Sequence, residues 1–110
     1  MKYYRMKRID DITGNSGTGY IAEVVVGGPG TAIVLWSEDS NALGVSSIVV
    51  YASLEDCEKV HGHGGSTVLE AADLTPERQE HIVNRLHIAQ RKIQEVAWVS
   101  TAIRPSSSFA

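Results

Sequence analysis

At Asp73-Leu-Thr-Pro76 the chain changes character. Upstream it is strand-like and punctuated by glycine; downstream one helical pattern runs unbroken to Arg104. In that pattern apolar residues fall at Ile82, Leu86, Ala89, Ile93, Val96 and Ile103, with Ser100 in phase. Steps of four and three residues are those of a helix seam that packs along a partner helix. Thr75 as N-cap and Pro76 at the first helical position start the helix. Pro105 ends it, because proline disfavours helical geometry in the residue before it. At 1.5 Å per residue such a helix is about 43 Å long. A body of some 70 residues is about 25–30 Å across, so the helix is expected to overhang it. The expected organisation is a β-rich domain over 1–74, an oligomerisation helix over 75–104 and a frayed tail over 105–110.

The body reads as short strands joined by glycine turns. Strands are expected over 3–9, 20–26, 31–36, 45–52 and 67–70, where β-branched and aromatic residues cluster. Gly27-Gly-Pro-Gly30 closes a hairpin between the second and third of these. Ser53-Leu-Glu-Asp56 opens a short helix, with Ser53 as N-cap and acids in the first turn. His61-Gly-His-Gly-Gly65 ends that helix, where glycine can take the left-handed conformation after the cap. The fold class that follows is α+β: a small antiparallel sheet or SH3-like barrel, one short internal helix and one long C-terminal helix.

Charge is unevenly spread. Residues 1–8 carry Lys2, Arg5, Lys7 and Arg8 without an acid, whereas residues 9–75 hold ten acids against Lys59 alone. An acidic body repels phosphate backbones, which argues against nucleic-acid binding. The basic start has no apolar stretch behind it as a signal peptide would, and no run approaches the ~18 apolar residues of a membrane helix. Cys57 is the single cysteine, so no intrachain disulfide forms and a reducing compartment suits the chain. The expected location is the cytoplasm, that of the host if the protein is viral.

Several groups of residues invite a functional reading. Cys57, His61 and His63 are close in sequence and are good zinc ligand types, though His63 lies beyond a glycine and a fourth ligand, such as His81 or an acid, must come from elsewhere. The same histidines also suit a helix C-terminus whose carbonyls they cap. Gly14-Asn-Ser-Gly-Thr-Gly19 could cradle an anion through backbone N–H groups. It lacks the Lys-Ser/Thr of a P-loop, and a strand follows it where a helix is required. No nucleophile elbow or cysteine-hydrolase signature surrounds Ser16, Ser66 or Cys57. Trp36 ends an apolar strand and is expected in the core. Trp98 lies about 140° around the helix from Ile93, on the body of its own chain or at a second interface.

Gly14-Asn-Ser-Gly-Thr-Gly19 followed by Ala22-Glu23, the apolar run ending in Leu35-Trp36, then Tyr51-Ala-Ser-Leu-Glu-Asp56 and His61-Gly-His-Gly-Gly65 form a pattern over the first 70 residues. That pattern resembles a family of small prokaryotic and phage proteins. The resemblance implies a compact β-rich domain of phage-like origin. The chain departs from those relatives in its long C-terminal helix.

The expected function is a non-enzymatic, oligomeric, phage-related binding protein. It captures a small anionic, nucleotide-like ligand or blocks a host protein. Ligand contacts are expected from Ser16, Gly17, Thr18, His61, His63, Arg8, Arg85 and Lys92, with Arg5, Lys7 and Arg91 as further cations. The oligomer interface is expected at Ile82, Leu86, Ala89, Ile93, Val96 and Ile103. No cofactor or membrane contact is expected; Cys57, His61 and His63 are the weak metal candidates. The alternatives are a small metal-dependent hydrolase using His61 and His63, and a structural virion or assembly accessory protein.

Overall fold

The computed structural model describes residues 1–9, 19–37 and 47–102, the side chains of residues 63 and 99–102 excepted. The loop residues Ser16, Gly17 and Thr18, the seam residue Ile103, the tail over 105–110 and the first residues of the expected strand at 45–52 lie outside that set. The chain divides into two compact units, Met1–Leu74 and Thr75–Ala110.

The first unit is one antiparallel sheet of five strands in the order β4-β3-β2-β1-β5. The strands are β1 (Lys2–Arg8), β2 (Gly19–Val26), β3 (Ala32–Trp36), β4 (Ile48–Tyr51) and β5 (Thr67–Ala71). The sheet is open: of the two architectures expected, sheet or barrel, the chain adopts the sheet. β2 and β3 form the hairpin at 27–30, where the Gly30 N–H donates to the Gly27 carbonyl at 3.0 Å. Gly30 holds φ at 98°, a conformation that side chains with a Cβ rarely take.

Between Met6 and Lys7 the β1–β2 register shifts, so that Met6 faces Ala22 but Lys7 faces Tyr20. Ile21 is the extra residue of this bulge, and bulges bend the strand that carries them. Ile21 and Ala22 are consequently both buried. They join Met6, Val24, Ala32, Val34 and Cys57 in the core, with Trp36, Tyr51, Leu54 and Leu69 packed around it. On the opposite face of the sheet Tyr3, Val25 and Leu35 are buried as well. Burial on both faces explains why the strands read as near-continuous apolar runs and not as strict alternations.

α1 (Leu54–His61) starts as its sequence dictates. Ser53 is extended, and its Oγ accepts a hydrogen bond from the Asp56 N–H at 3.1 Å. Glu55 and Asp56 in the first turn and Lys59 and His61 in the last complement the helix dipole. The end of α1 falls in the glycine segment expected to close it. Gly62 is right-handed, at φ −66° and ψ −36°, and its N–H donates to the Glu58 carbonyl at 2.7 Å. The left-handed glycines come later, Gly64 at φ 67° and Gly65 at φ 101°, in the short 3-10 turn His63–Gly65. Gly62 is required for a different reason: a Cβ there would stand 2.6 Å from the Glu58 carbonyl oxygen. The reversed chain then enters β5, with the Thr67 N–H donating to the Gly62 carbonyl at 3.1 Å.

The second unit is α2 (Pro76–Ala102), capped as expected by Thr75, whose Oγ1 accepts from the Arg78 N–H at 3.2 Å. Along its seam Ile82 is buried, Leu86 and Ala89 are half-buried, and Ile93 and Val96 are 68% and 72% exposed.

Two substitutions separate the cap from the close approach. Ser53→Ala removes one N-cap hydrogen bond and should cost about 1 kcal/mol in urea unfolding. Gly62→Ala forces a Cβ against backbone and should cost more, about 2–3 kcal/mol. Equal losses would show that the backbone at Gly62 yields freely.

Candidate ligand pocket

The α1–turn–β5 segment folds back over the β1–β5 end of the sheet and leaves a cavity of about 610 Å³. Cavities of about 300–1,000 Å³ accommodate small-molecule ligands. Tyr4 and Met6 of β1, Leu69 of β5, and Leu54 and Cys57 of α1 form its apolar wall. Glu58, Lys59, His61 and Thr67 bring polar groups, and Gly62, Gly64 and Gly65 bring bare backbone. Every lining residue lies in the first unit.

His61 is held in place. Its Nε2 is 2.7 Å from the Tyr51 hydroxyl, and its ring meets the rings of Trp36 and Tyr51 edge-on at 5.2 and 5.5 Å. The imidazole is thereby tied to β3 and β4. Burial pushes the Tyr51 phenol up from its ordinary value, and the charge of Cys57 adds to this. Cys57 is fully buried, and burial raises its thiol too, with the Glu58 carboxylate adding to the effect. A thiol so placed stays protonated at neutral pH, and the thiolate is the form that attacks or binds zinc. Among the described residues no group of three or more His, Cys, Asp or Glu side chains could hold a metal ion. The Cys57–His61 pairing of the sequence therefore resolves into one core thiol and one tethered ring.

Arg8 is the unusual side chain. It is only 8% exposed, at the end of β1 directly opposite Thr67 of β5. Its Nε donates to Thr67 Oγ1 at 3.4 Å, and among the described residues it forms no ion pair. A guanidinium stays charged at any ordinary pH, and burying a charge without a counter-charge costs several kcal/mol. Thr67 lines the cavity, whereas Arg8, bonded to it, is not itself part of the lining.

The other expected cations are placed differently. Arg5 lies 3.6 Å over the Tyr20 ring on the opposite face of the sheet, and the Tyr20 hydroxyl donates to Glu70 at 2.7 Å. That bond to Glu70 is the main cause of the raised Tyr20 pKa. Lys7 is 5.5 Å over the same ring. Arg85 and Lys92 belong to the second unit, where Lys92 pairs with Glu95 at 3.6 Å. Trp98 is 71% exposed beside Arg91, Gln94 and Glu95. Of the expected ligand residues the structure thus brings together His61 and, through Thr67, Arg8. Thr67 and Tyr51 were missed. Only the pairing of β5 with β1 singles out Thr67, and only the fold of α1 onto β4 singles out Tyr51.

These features define a small α+β sheet domain whose pocket is built from one helix, a glycine turn and two neighbouring strands. The description Acb5 phage protein matches residues 1–73, two thirds of the chain, and the chain belongs to this phage protein family. Its function is accordingly phage-related. The matched segment contains the whole pocket, whereas α2 lies beyond it. No curated protein and no solved structure matches the chain significantly. No described helix is long and apolar enough to cross a membrane.

The thiol gives a pH signature. Its folded pKa is raised above the ordinary value of 9.0, so the stability it contributes is complete below about pH 9 and lost as pH rises through the folded value. In urea unfolding between pH 8 and 10.5, the advantage of the wild type over Cys57→Ala should shrink with pH. A constant difference would mean that Cys57 titrates alike in both states.

Proposed function

We propose that the chain is a non-enzymatic binding protein of phage origin that captures a small anionic, nucleotide-like ligand in the β1–β5–α1 pocket. The observation that carries this reading is a ligand-sized cavity whose lining residue Thr67 is hydrogen-bonded to the buried Arg8. The apolar wall at Tyr4, Met6 and Leu54 suits the flat body of such a ligand, and the cation suits its charge. Capture is favoured over hydrolysis because the thiol is buried with a raised pKa and the His61 ring is engaged by Tyr51. The α1 C-terminus at the pocket carries the negative end of the helix dipole, which opposes an anion there and directs it toward the Arg8 side.

Assembly through α2 belongs to the same reading. Ile93 and Val96 keep the seam spacing and are largely exposed, which supports a second copy along that face. Oligomerisation would present several pockets on one particle, suited to sequestering a ligand. Blocking a host protein is the other use of such a particle.

A nucleotide panel tests the ligand. A true ligand at about 100 times its Kd adds about 2.7 kcal/mol, a rise in Tm on the order of 10 °C for a domain of this size. No rise with any member would shift the reading to a host-protein target. Native mass spectrometry tests assembly: wild type should exceed the 11.9 kDa of one chain, and Ile93→Glu with Val96→Glu should return it to that mass. A monomeric wild type would remove the α2 interface.

A further inference from the structure

We infer that Arg8 and Thr67 form an oxyanion subsite for the phosphate of an organic phosphate monoester, whose body lies against the apolar wall of the pocket. The inference rests on the pocket reading and goes further by naming the group recognised and the residues that recognise it. Arg8 is more than nine-tenths buried, yet its one hydrogen bond among the described residues is Nε to Thr67 Oγ1, at 3.4 Å. No acceptor for either Nη group lies among the described residues. Thr67 Oγ1 is the acceptor in that bond, so the hydroxyl keeps its own hydrogen to donate. Two guanidinium N–H groups and one hydroxyl beside each other supply the donors that the terminal oxygens of a phosphate need.

The wider setting agrees. Of the carboxylates near this end of the sheet, Glu70 accepts from Tyr20 on the opposite face and Glu55 pairs with Lys59 at 3.5 Å, while Glu58 lines the pocket from α1. Lys59 lines the pocket and its pair is solvent-exposed, so it can turn to a bound anion at small cost. A structural arginine would be expected to close on a carboxylate or on several carbonyl oxygens. Arg8 does neither among the described residues, although Thr67 fixes its orientation.

Isothermal titration and NMR of the full chain test the subsite with inorganic phosphate, AMP, ribose 5-phosphate and adenosine. Phosphate should shift the Arg8 Nε–H and Thr67 resonances, and AMP should bind about 10–100-fold more tightly than adenosine, as charge-assisted hydrogen bonds are worth. Ribose 5-phosphate equal to AMP would make the ligand a sugar phosphate; AMP tighter would make it a nucleotide. Both support the subsite. Arg8→Met should lose that same factor for AMP, leave adenosine unchanged, and keep or raise Tm without ligand, because an unpaired charge has gone. Thr67→Val should lose a smaller factor. A large fall in Tm of ligand-free Arg8→Met would show a structural arginine and overturn the subsite. So would a nucleotide that stabilises the protein while phosphate leaves Arg8 unmoved, an outcome under which the pocket reading stands. Phosphate held at Arg8 with no response to any nucleotide would instead keep the subsite and remove the nucleotide reading.

Discussion

The pairing of β1 with β5 is the contact on which the first unit depends. It joins residues 59 to 67 positions apart, and it alone ties the α1–turn–β5 segment to the sheet by a strand ladder. Its register sets Met6 opposite Leu69, two apolar residues that line the pocket, and Arg8 opposite Thr67. Side chains alternate across a strand, so a slip of one residue would turn Arg8 to the other face and dissolve the cavity wall. The bulge at Ile21 works in the same direction. By absorbing one residue between β1 and β2 it keeps both Ile21 and Ala22 buried beneath the end of β1 from which Arg8 projects.

The turn at 62–65 supplies the second constraint. α1 must stop, the chain must reverse and β5 must begin within a few residues. The Gly62 carbonyl serves this by accepting from both Gly65 and Thr67. Close approach excludes a Cβ at Gly62, whereas backbone handedness favours glycine at Gly64 and Gly65. Three glycines in one short turn thus answer two separate demands. The side effect is a stretch of pocket wall with no side chains, open to whatever the cavity receives.

Signals confined to a few residues were legible in the sequence. The Ser53 and Thr75 caps and the 27–30 turn depend on interactions spanning three or four positions, and each appears in the fold where the residue types place it. The candidate site was legible only in part, because its defining contacts are remote. Nothing local distinguishes Arg8 from Lys7 or Arg5; the three form one basic run. Sheet register buries the first, half-buries the second and stacks the third on Tyr20. Likewise His61 reads as a metal ligand beside Cys57 until α1 packs on the sheet. The thiol then turns into the core and the imidazole meets Tyr51. Within the glycine segment expected to end α1 the left-handed residues are Gly64 and Gly65, because the Gly62 N–H still reaches the Glu58 carbonyl and continues the helix.

The relation between pocket and helix follows from how each spends its apolar surface. The first unit buries its apolar residues thoroughly, with Tyr3, Met6, Val24, Val25 and Leu35 all inside. In the second, Ile88, Ile93, Val96 and Trp98 are all more than half exposed within eleven residues. Isolated exposed apolar side chains are ordinary on any protein; of these four, Ile93 and Val96 keep the seam spacing, whereas Ile88 and Trp98 lie off it. Propensity alone does not hold a helix of this length together in water as well as a packed apolar face does. Ile93 and Val96 are the part of this surface that the proposed α2 interface would cover, and the family match stops before α2. The pocket lies wholly in the first unit, so its lining is independent of α2. If the proposed assembly forms, linking several pockets would raise the chance that a released ligand is recaptured.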